Sequence, residues 1–134
     1  MKILIDTHLA LWFLDGSERM PTRARELVED PANDIFVSDA STWEVAIKHA
    51  KRPDIMPRSC ADFIGLCNQV GFAALPISRA AIVAYEGLDP SRAEGIHRDP
   101  FDRMLIAQAK TEGMLLLTHD HSMSLYGEPL VSVV

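Results

Sequence analysis

Five acidic side chains carry whatever chemistry this chain performs: Asp6, Glu44, Asp102 and Asp120, with Asp99 as a fifth candidate. Asp6 follows directly on the apolar run Ile3-Leu4-Ile5, and Asp120 stands three residues past Leu117, at the end of a second such run. A charge closing an apolar strand is costly unless it finds a partner. Carboxylates drawn from distant segments to one place repel, and their pKa values rise unless a cation keeps them ionised. A cluster of hard oxygen ligands without cysteine suits Mg²⁺ or Mn²⁺ better than zinc. The chemistry to look for is therefore that of a bound divalent ion.

Each acid also has an ordinary structural explanation. Ser41-x-x-Glu44 is a capping-box pattern, and Lys48 is spaced to pair with Glu44 on one helix face. Asp99 is placed to cap a helix, and Asp102 in its first turn complements the helix dipole. The grouping outweighs its members, because the order of elements brings all five to one place.

Lys2 to Ile5 predicts a buried strand and His8 to Leu14 a helix stopped near Asp15-Gly16. A polar helix is expected over Pro21 to Asp30, a strand over Ile35 to Val37, and a helix over Asp39 to Ala50. Ser59 to Val70 has a good cap in Ser59 and a stop in Gly71. Phe72 to Ile77 predicts a third strand, Arg79 to Glu86 a helix, and Gly87 to Arg98 a loop. Asp99-Pro100 opens the most strongly marked helix, running to Glu112 before Gly113. Met114 to Leu117 and Leu130 to Val133 predict two last strands. Continuous apolar strands alternating with helices imply an α/β fold, with a mostly parallel five-stranded sheet covered on both faces. Active sites of such sheets gather at the carboxyl ends of the strands, where Asp6, Glu44 and Asp120 are expected.

The 134 residues suit a single domain over 1–134, and an apolar fraction of 48% with 24% charged residues is that of a globular protein. No apolar run is long enough for a membrane span, and the N-terminal one is too short for a secretory signal, so the cytoplasm is expected. Cys60 and Cys67 fall on one predicted helix with their Cα atoms ~10 Å apart, too far for a disulfide. A net charge of -6 argues against a nucleic-acid coat protein but not against a nuclease, whose metal supplies the positive charge that faces phosphate. His119-Asp120-His121 lacks a third histidine at useful spacing, which disfavours zinc. Trp43 and Phe101 could stack a base, though their helical spacing predicts core positions.

Taken together, several segments resemble the PIN-domain toxins of the VapC type. They are Ile5-Asp6-Thr7-His8 with Leu11-Trp12, Ser38 through Trp43-Glu44 to Lys48, His97-Arg98-Asp99-Pro100-Phe101-Asp102-Arg103 running into Leu105-Ile106-Ala107-Gln108-Ala109, and Leu117-Thr118-His119-Asp120. Their order and spacing fit across nearly the whole chain. The resemblance implies a three-layer α/β/α PIN-like fold and Mg²⁺- or Mn²⁺-dependent endoribonuclease activity. It also implies a role as toxin of a type II toxin–antitoxin pair. The family's acidic quartet maps onto Asp6, Glu44, Asp102 and Asp120, with Asp99 ligating through water or orienting its neighbours. Thr7 and Thr118 match hydroxyls that the family sets beside its acids. A homodimer and a cognate antitoxin are implied as partners, with RNA as substrate. Ala50 to Arg58, carrying Lys51, Arg52, Pro53 and Pro57, departs from the shorter Gly-containing turn of many relatives.

On that reading the acids hold one or two ions over the scissile phosphodiester and a metal-activated water attacks in line. Lys48, Lys51, Arg52, Arg58, Arg92, Arg98 and Arg103 are candidate phosphate contacts. A receiver module fails for want of a lysine near the last strand, since none follows Lys110. A haloacid-dehalogenase-type phosphatase fails because His8 stands where a second Asp is needed. A catalytically silent PIN-like binding module remains the alternative.

Overall fold

A computed structural model describes residues 1–88 and 99–134. The sequence alternates strands and helices: β1 (Lys2–Ile5), α1 (Thr7–Asp15), α2 (Thr22–Glu29), β2 (Asp34–Ser38), α3 (Asp39–Lys51), α4 (Cys60–Gln69), β3 (Ala73–Leu75), α5 (Arg79–Glu86), α6 (Pro100–Glu112), β4 (Leu115–Thr118), a 3₁₀ helix (His121–Tyr126) and β5 (Val131–Val133). Most of the expected loop, together with Arg92, His97 and Arg98, lies outside the described residues.

The strands pair in the order β3-β2-β1-β4-β5, and every pairing is parallel. Alternation along β1 shows how the sheet separates two cores. Ile3 and Ile5 join Leu9, Val28, Val45, Phe63 and Leu117 on the side of α1 to α4. Leu4 joins Leu105, Ile106, Leu116 and Met123 on the side of α5, α6 and the 3₁₀ helix. Neither face of so apolar a strand can be left to water, so the result is three layers.

Local chemistry sets the element ends. Gly16 and Gly113 take left-handed φ of 63° and 65° directly after α1 and α6, a conformation in which a side chain would be strained. Asp99 caps α6 through the Phe101 and Asp102 amides, with Pro100 at the first helical position. The expected third strand stops early, at Leu75, because Pro76 has no N–H for the ladder. The 3₁₀ helix was not legible as a helix. It forms because Asp120 accepts the Ser122 amide and Gly127 closes the turn at φ 68°.

Candidate active site

β1 is the branching point of the sheet. From it, β2 and β3 lie to one side, and β4 and β5 to the other. Helices leave the carboxyl ends of β1 and β4 in different directions there, opening the crevice in which ligands of such sheets bind. Asp6 stands at the end of β1, and Thr118 and Asp120 at the end of β4. Because α6 leads into β4, its N-terminus, with Asp99 and Asp102, lies at the same edge. Four of the five predicted acids are thus brought to one edge by topology, and α3, which carries Glu44, leaves the carboxyl end of β2 beside them.

Asp6 is 4% exposed. Its Oδ1 accepts the Leu9 amide at 2.8 Å, which makes it the cap of α1. Its Oδ2 accepts the hydroxyl of Thr118. That hydroxyl in turn accepts the Asp120 amide at 3.0 Å, so one threonine ties Asp6 to the backbone of Asp120. Burial holds the Asp6 carboxyl above the ordinary carboxylate range. The Thr118 and Leu9 hydrogen bonds, the charge of His8 and the His119 amide pull it partly back.

Glu44 reaches the site from α3. Ser38, not Ser41, caps this helix by accepting the Ala40 amide at 2.9 Å. The capping-box explanation of Glu44 therefore fails: Ser41 lies inside the helix and accepts the Thr7 hydroxyl at 2.8 Å, pinning α1 to α3. Thr7 thus serves the scaffold and, among the described residues, bonds no acid directly. Glu44 is 2% exposed. Its Oε2 takes the Lys48 ammonium at 2.7 Å, as the spacing predicted, while its Oε1 is buried without a hydrogen-bond partner. A buried carboxylate oxygen left open costs free energy and invites a donor or a cation.

Asp102 is half-buried in the first turn of α6, beside Asp99. Next to it, Arg103 is set over the Tyr85 and Tyr126 rings, 4.7 and 5.8 Å from their centroids. Burial raises the Tyr126 hydroxyl and Arg103 lowers it; Tyr85, Asp102 and Asp99 add smaller raising effects, so these groups feel one another's charge. Asp120 spends one oxygen on Ser122, accepting its amide at 2.9 Å and its hydroxyl at 2.6 Å. Among the described residues, no three of the acidic, histidine or cysteine side chains close into a cage fit for a metal ion. Lys48 on Glu44 and Ser122 on Asp120 hold two of the carboxylates in other contacts. The donor set still fits a hard divalent ion. It is all oxygen, it includes an open Oε1 on Glu44, and it contains a buried carboxylate whose charge calls for compensation.

Of the two residues expected in the core, Phe101 packs half-buried against it and Trp43 does not. Trp43 is 60% exposed, and its ring meets half-buried Phe101 edge-on at 5.3 Å. Around Trp12, His8 and His119 make ring contacts at 6.2 and 5.7 Å, a histidine-lined rim that spacing alone did not predict. Cys60 and Cys67 are both free thiols, as expected.

The family model described as "PIN domain" matches residues 3–129, and the chain belongs to that family. PIN domains are generally nucleases. The fold is similar to that of VapBC2 from Rickettsia felis bound to a promoter DNA fragment, with TM-score 0.68, 14% identity, and coverage of 100% of this chain and 98% of that one. It is also similar to DNA-bound VapBC from Salmonella typhimurium, with TM-score 0.65, 15% identity, and coverage of 100% and 97%. FitAcB from Neisseria gonorrhoeae gives TM-score 0.58 at 17% identity, covering 93% of both chains. No curated protein matches the sequence.

Proposed function

We propose that this chain is a Mg²⁺- or Mn²⁺-dependent endoribonuclease of the VapC type, acting in the cytoplasm as the toxin of a type II toxin–antitoxin pair. One observation carries the reading. A buried carboxylate, Asp6, and a buried carboxylate with an open oxygen, Glu44, are directed by separate elements to the branching edge of a PIN fold.

Asp6, Glu44, Asp102 and Asp120 are the residues that would hold the ion, with Asp99 as an auxiliary ligand or orienting group. When bound, such an ion supplies a water of lowered pKa and offsets charge on the phosphate. The chain's own residues do the rest. Thr118 and the Leu9 amide fix Asp6 in one orientation. The open Oε1 of Glu44 can accept a proton from the attacking water, while Lys48 holds the other oxygen in place. Lys48, with its side chain 42% exposed, is also a cation beside Glu44 that a substrate phosphate can reach.

A groove of about 610 Å³ runs between α1 and the segment after α3, lined by Leu11, Trp12, Ile55, Met56, Lys48 and Arg58 among others. Asp15 and Asp62 stand beside Arg19, Lys48 and Arg58 at its margins, with Arg58 paired to Asp15, so it is the apolar floor that suits an amphipathic helix of an antitoxin. The departing Ala50–Arg58 segment supplies one wall of it. Self-association as a homodimer belongs to the same reading.

The absence of a closed cage among the described acids favours, as second reading, a catalytically silent PIN-like binding module. Purified protein incubated with total tRNA and rRNA, with Mg²⁺ or Mn²⁺ and an EDTA control, separates the two. Metal-dependent fragments support the nuclease; intact RNA at every metal concentration supports the silent module.

A further inference from the structure

Four carboxylates of the acidic edge spend at least one oxygen on a donor of the fold, and the donors are not alike. Asp6 accepts the Leu9 amide and the Thr118 hydroxyl, Asp99 the Phe101 and Asp102 amides, and Asp120 the Ser122 amide and hydroxyl. All of these donors are neutral. A neutral hydrogen bond on a carboxylate is compatible with a metal ion on the same group, and orients the group for it. Glu44 differs. Its Oε2 accepts a charged donor, the Lys48 ammonium, at 2.7 Å, while its buried Oε1 has no hydrogen-bond partner.

The two oxygens of this one side chain are therefore divided between a cation already present and an open position. A hard ion on Oε2, about 2.1 Å from it, would stand within about 5 Å of the ammonium. Two positive charges so close repel strongly where burial limits screening. At Oε1 no cation of the fold stands in the way. The ammonium also does not drift off when the site fills, because Lys48 is one helical turn beyond Glu44 on α3, in the favourable order of acid before base. Its far side meets solvent, since the lysine side chain is 42% exposed.

We propose that the Lys48 ammonium is the second cation of this site: it occupies Oε2 of Glu44, confines a divalent ion to the Oε1 side, and limits the protein to one such ion per chain. Two-ion sites of phosphodiester chemistry set their ions about 3.5–4 Å apart and use both to offset charge on the phosphate. Here a side chain takes over one of those charges, and a phosphate can approach it from the exposed side of Lys48. The inference rests on the metal-dependent reading above and specifies how many ions that site takes. A merely structural Glu44–Lys48 pair would also hold the carboxylate in place, but its removal would leave the ion count unchanged.

Counting ions tests it without any RNA. Mn²⁺ is titrated into the metal-stripped full chain, and the free ion is read from its paramagnetic resonance signal. The wild type and Lys48→Arg, which keeps the charge, are each expected to bind one ion per chain. Lys48→Met is expected to bind a second, with a dissociation constant at least about tenfold below that of any second ion on the wild type. Glu44→Gln added to Lys48→Met is expected to return the count to one. Circular dichroism verifies folding, and Lys48→Gln replaces Lys48→Met if that variant unfolds. Two ions of similar affinity on the wild type, or a single ion on the uncharged Lys48 variant, overturn the role of Lys48 and leave the metal-dependent nuclease standing. A wild type that binds no Mn²⁺ overturns the functional reading, and this inference with it.

Discussion

Thr118 donates its hydroxyl proton to the carboxylate of Asp6 across 112 positions of sequence, joining the ends of two adjacent parallel strands. The same oxygen receives the Asp120 amide. One side chain thus ties the carboxylate of one predicted ligand, at the end of β1, to the backbone of another beyond the end of β4. Thr118→Val keeps the shape and removes both bonds. It is expected to cost about 1–3 kcal/mol of stability. Because the Thr118 bond lowers the Asp6 pKa, its loss moves that pKa further up, so the acidic limb of the cleavage–pH profile shifts to higher pH. An unmoved limb in Thr118→Val rules out Asp6 as the group that limits activity there.

Burial of Asp6 also makes a prediction for the metal-free protein. Its folded carboxyl titrates above the ordinary value of 3.8, so the folded state binds more protons than the unfolded state just above that pH. Stability from this group is fully present below about 3.8 and falls as pH rises through the higher folded pKa. Urea unfolding of wild type and Asp6→Asn across that window checks it: the difference between them grows with pH in favour of Asn. If Mn²⁺ binds here, it is expected to reverse that trend in the wild type and to leave Asp6→Asn unmoved.

Asp6→Asn, Asp102→Asn and Glu44→Gln are each expected to lower RNA cleavage by more than about 100-fold, beyond the loss usual for a residue that merely supports a ligand. Circular dichroism is expected to stay close to wild type, with metal-free Asp6→Asn melting higher at neutral pH. Metal-dependent cleavage at wild-type rate in both Asp variants would falsify the site.

Burial separates the two cysteines as well. Desolvation pushes the Cys67 thiol up to about 11, and it lies 6% exposed against Phe63 and Phe72 in the α1-to-α4 core. Cys60 is less deeply placed, at the start of α4. Thiol reagents at neutral pH are therefore expected to modify Cys60 first, leaving Cys67 unreacted until the chain unfolds. Equal labelling of the two in folded protein would place α4 differently.

The sequence made the strands, the helices and the acidic edge legible because each rests on a local signal. Ile3-Leu4-Ile5 needs two covered faces, Asp99-Pro100 starts a helix wherever it occurs, and Gly113 ends one. What stayed hidden depends on contacts between distant residues. Ser41 matches a cap pattern, yet the cap is Ser38, and Ser41 is used instead to receive Thr7 from α1. Trp43 has core spacing, yet α3 turns it outward against Phe101 of a helix nearly sixty residues away. That Thr118 would choose Asp6, or that Glu44 would keep one oxygen open, is decided by packing that no spacing encodes.

The Glu44–Lys48 pair gives the sharpest test of that open oxygen. Lys48→Met leaves a carboxylate that is 2% exposed with neither oxygen paired by a cation. Breaking a fully buried pair costs about 3–5 kcal/mol. Here Lys48 is 42% exposed and its charge is screened, so a loss of about 1–2 kcal/mol is expected. Adding Glu44→Gln to Lys48→Met removes the stranded charge and is expected to restore part of that loss, a coupling read from a double-mutant cycle in urea. Divalent ion distinguishes a structural pair from a ligand held in reserve. If Glu44 is a ligand, Mn²⁺ raises the melting temperature of Lys48→Met more than that of wild type, because the ion no longer competes with the ammonium for Oε2. Equal shifts in the two proteins would confine Glu44 to the scaffold and leave Asp6, Asp102 and Asp120 to hold the metal.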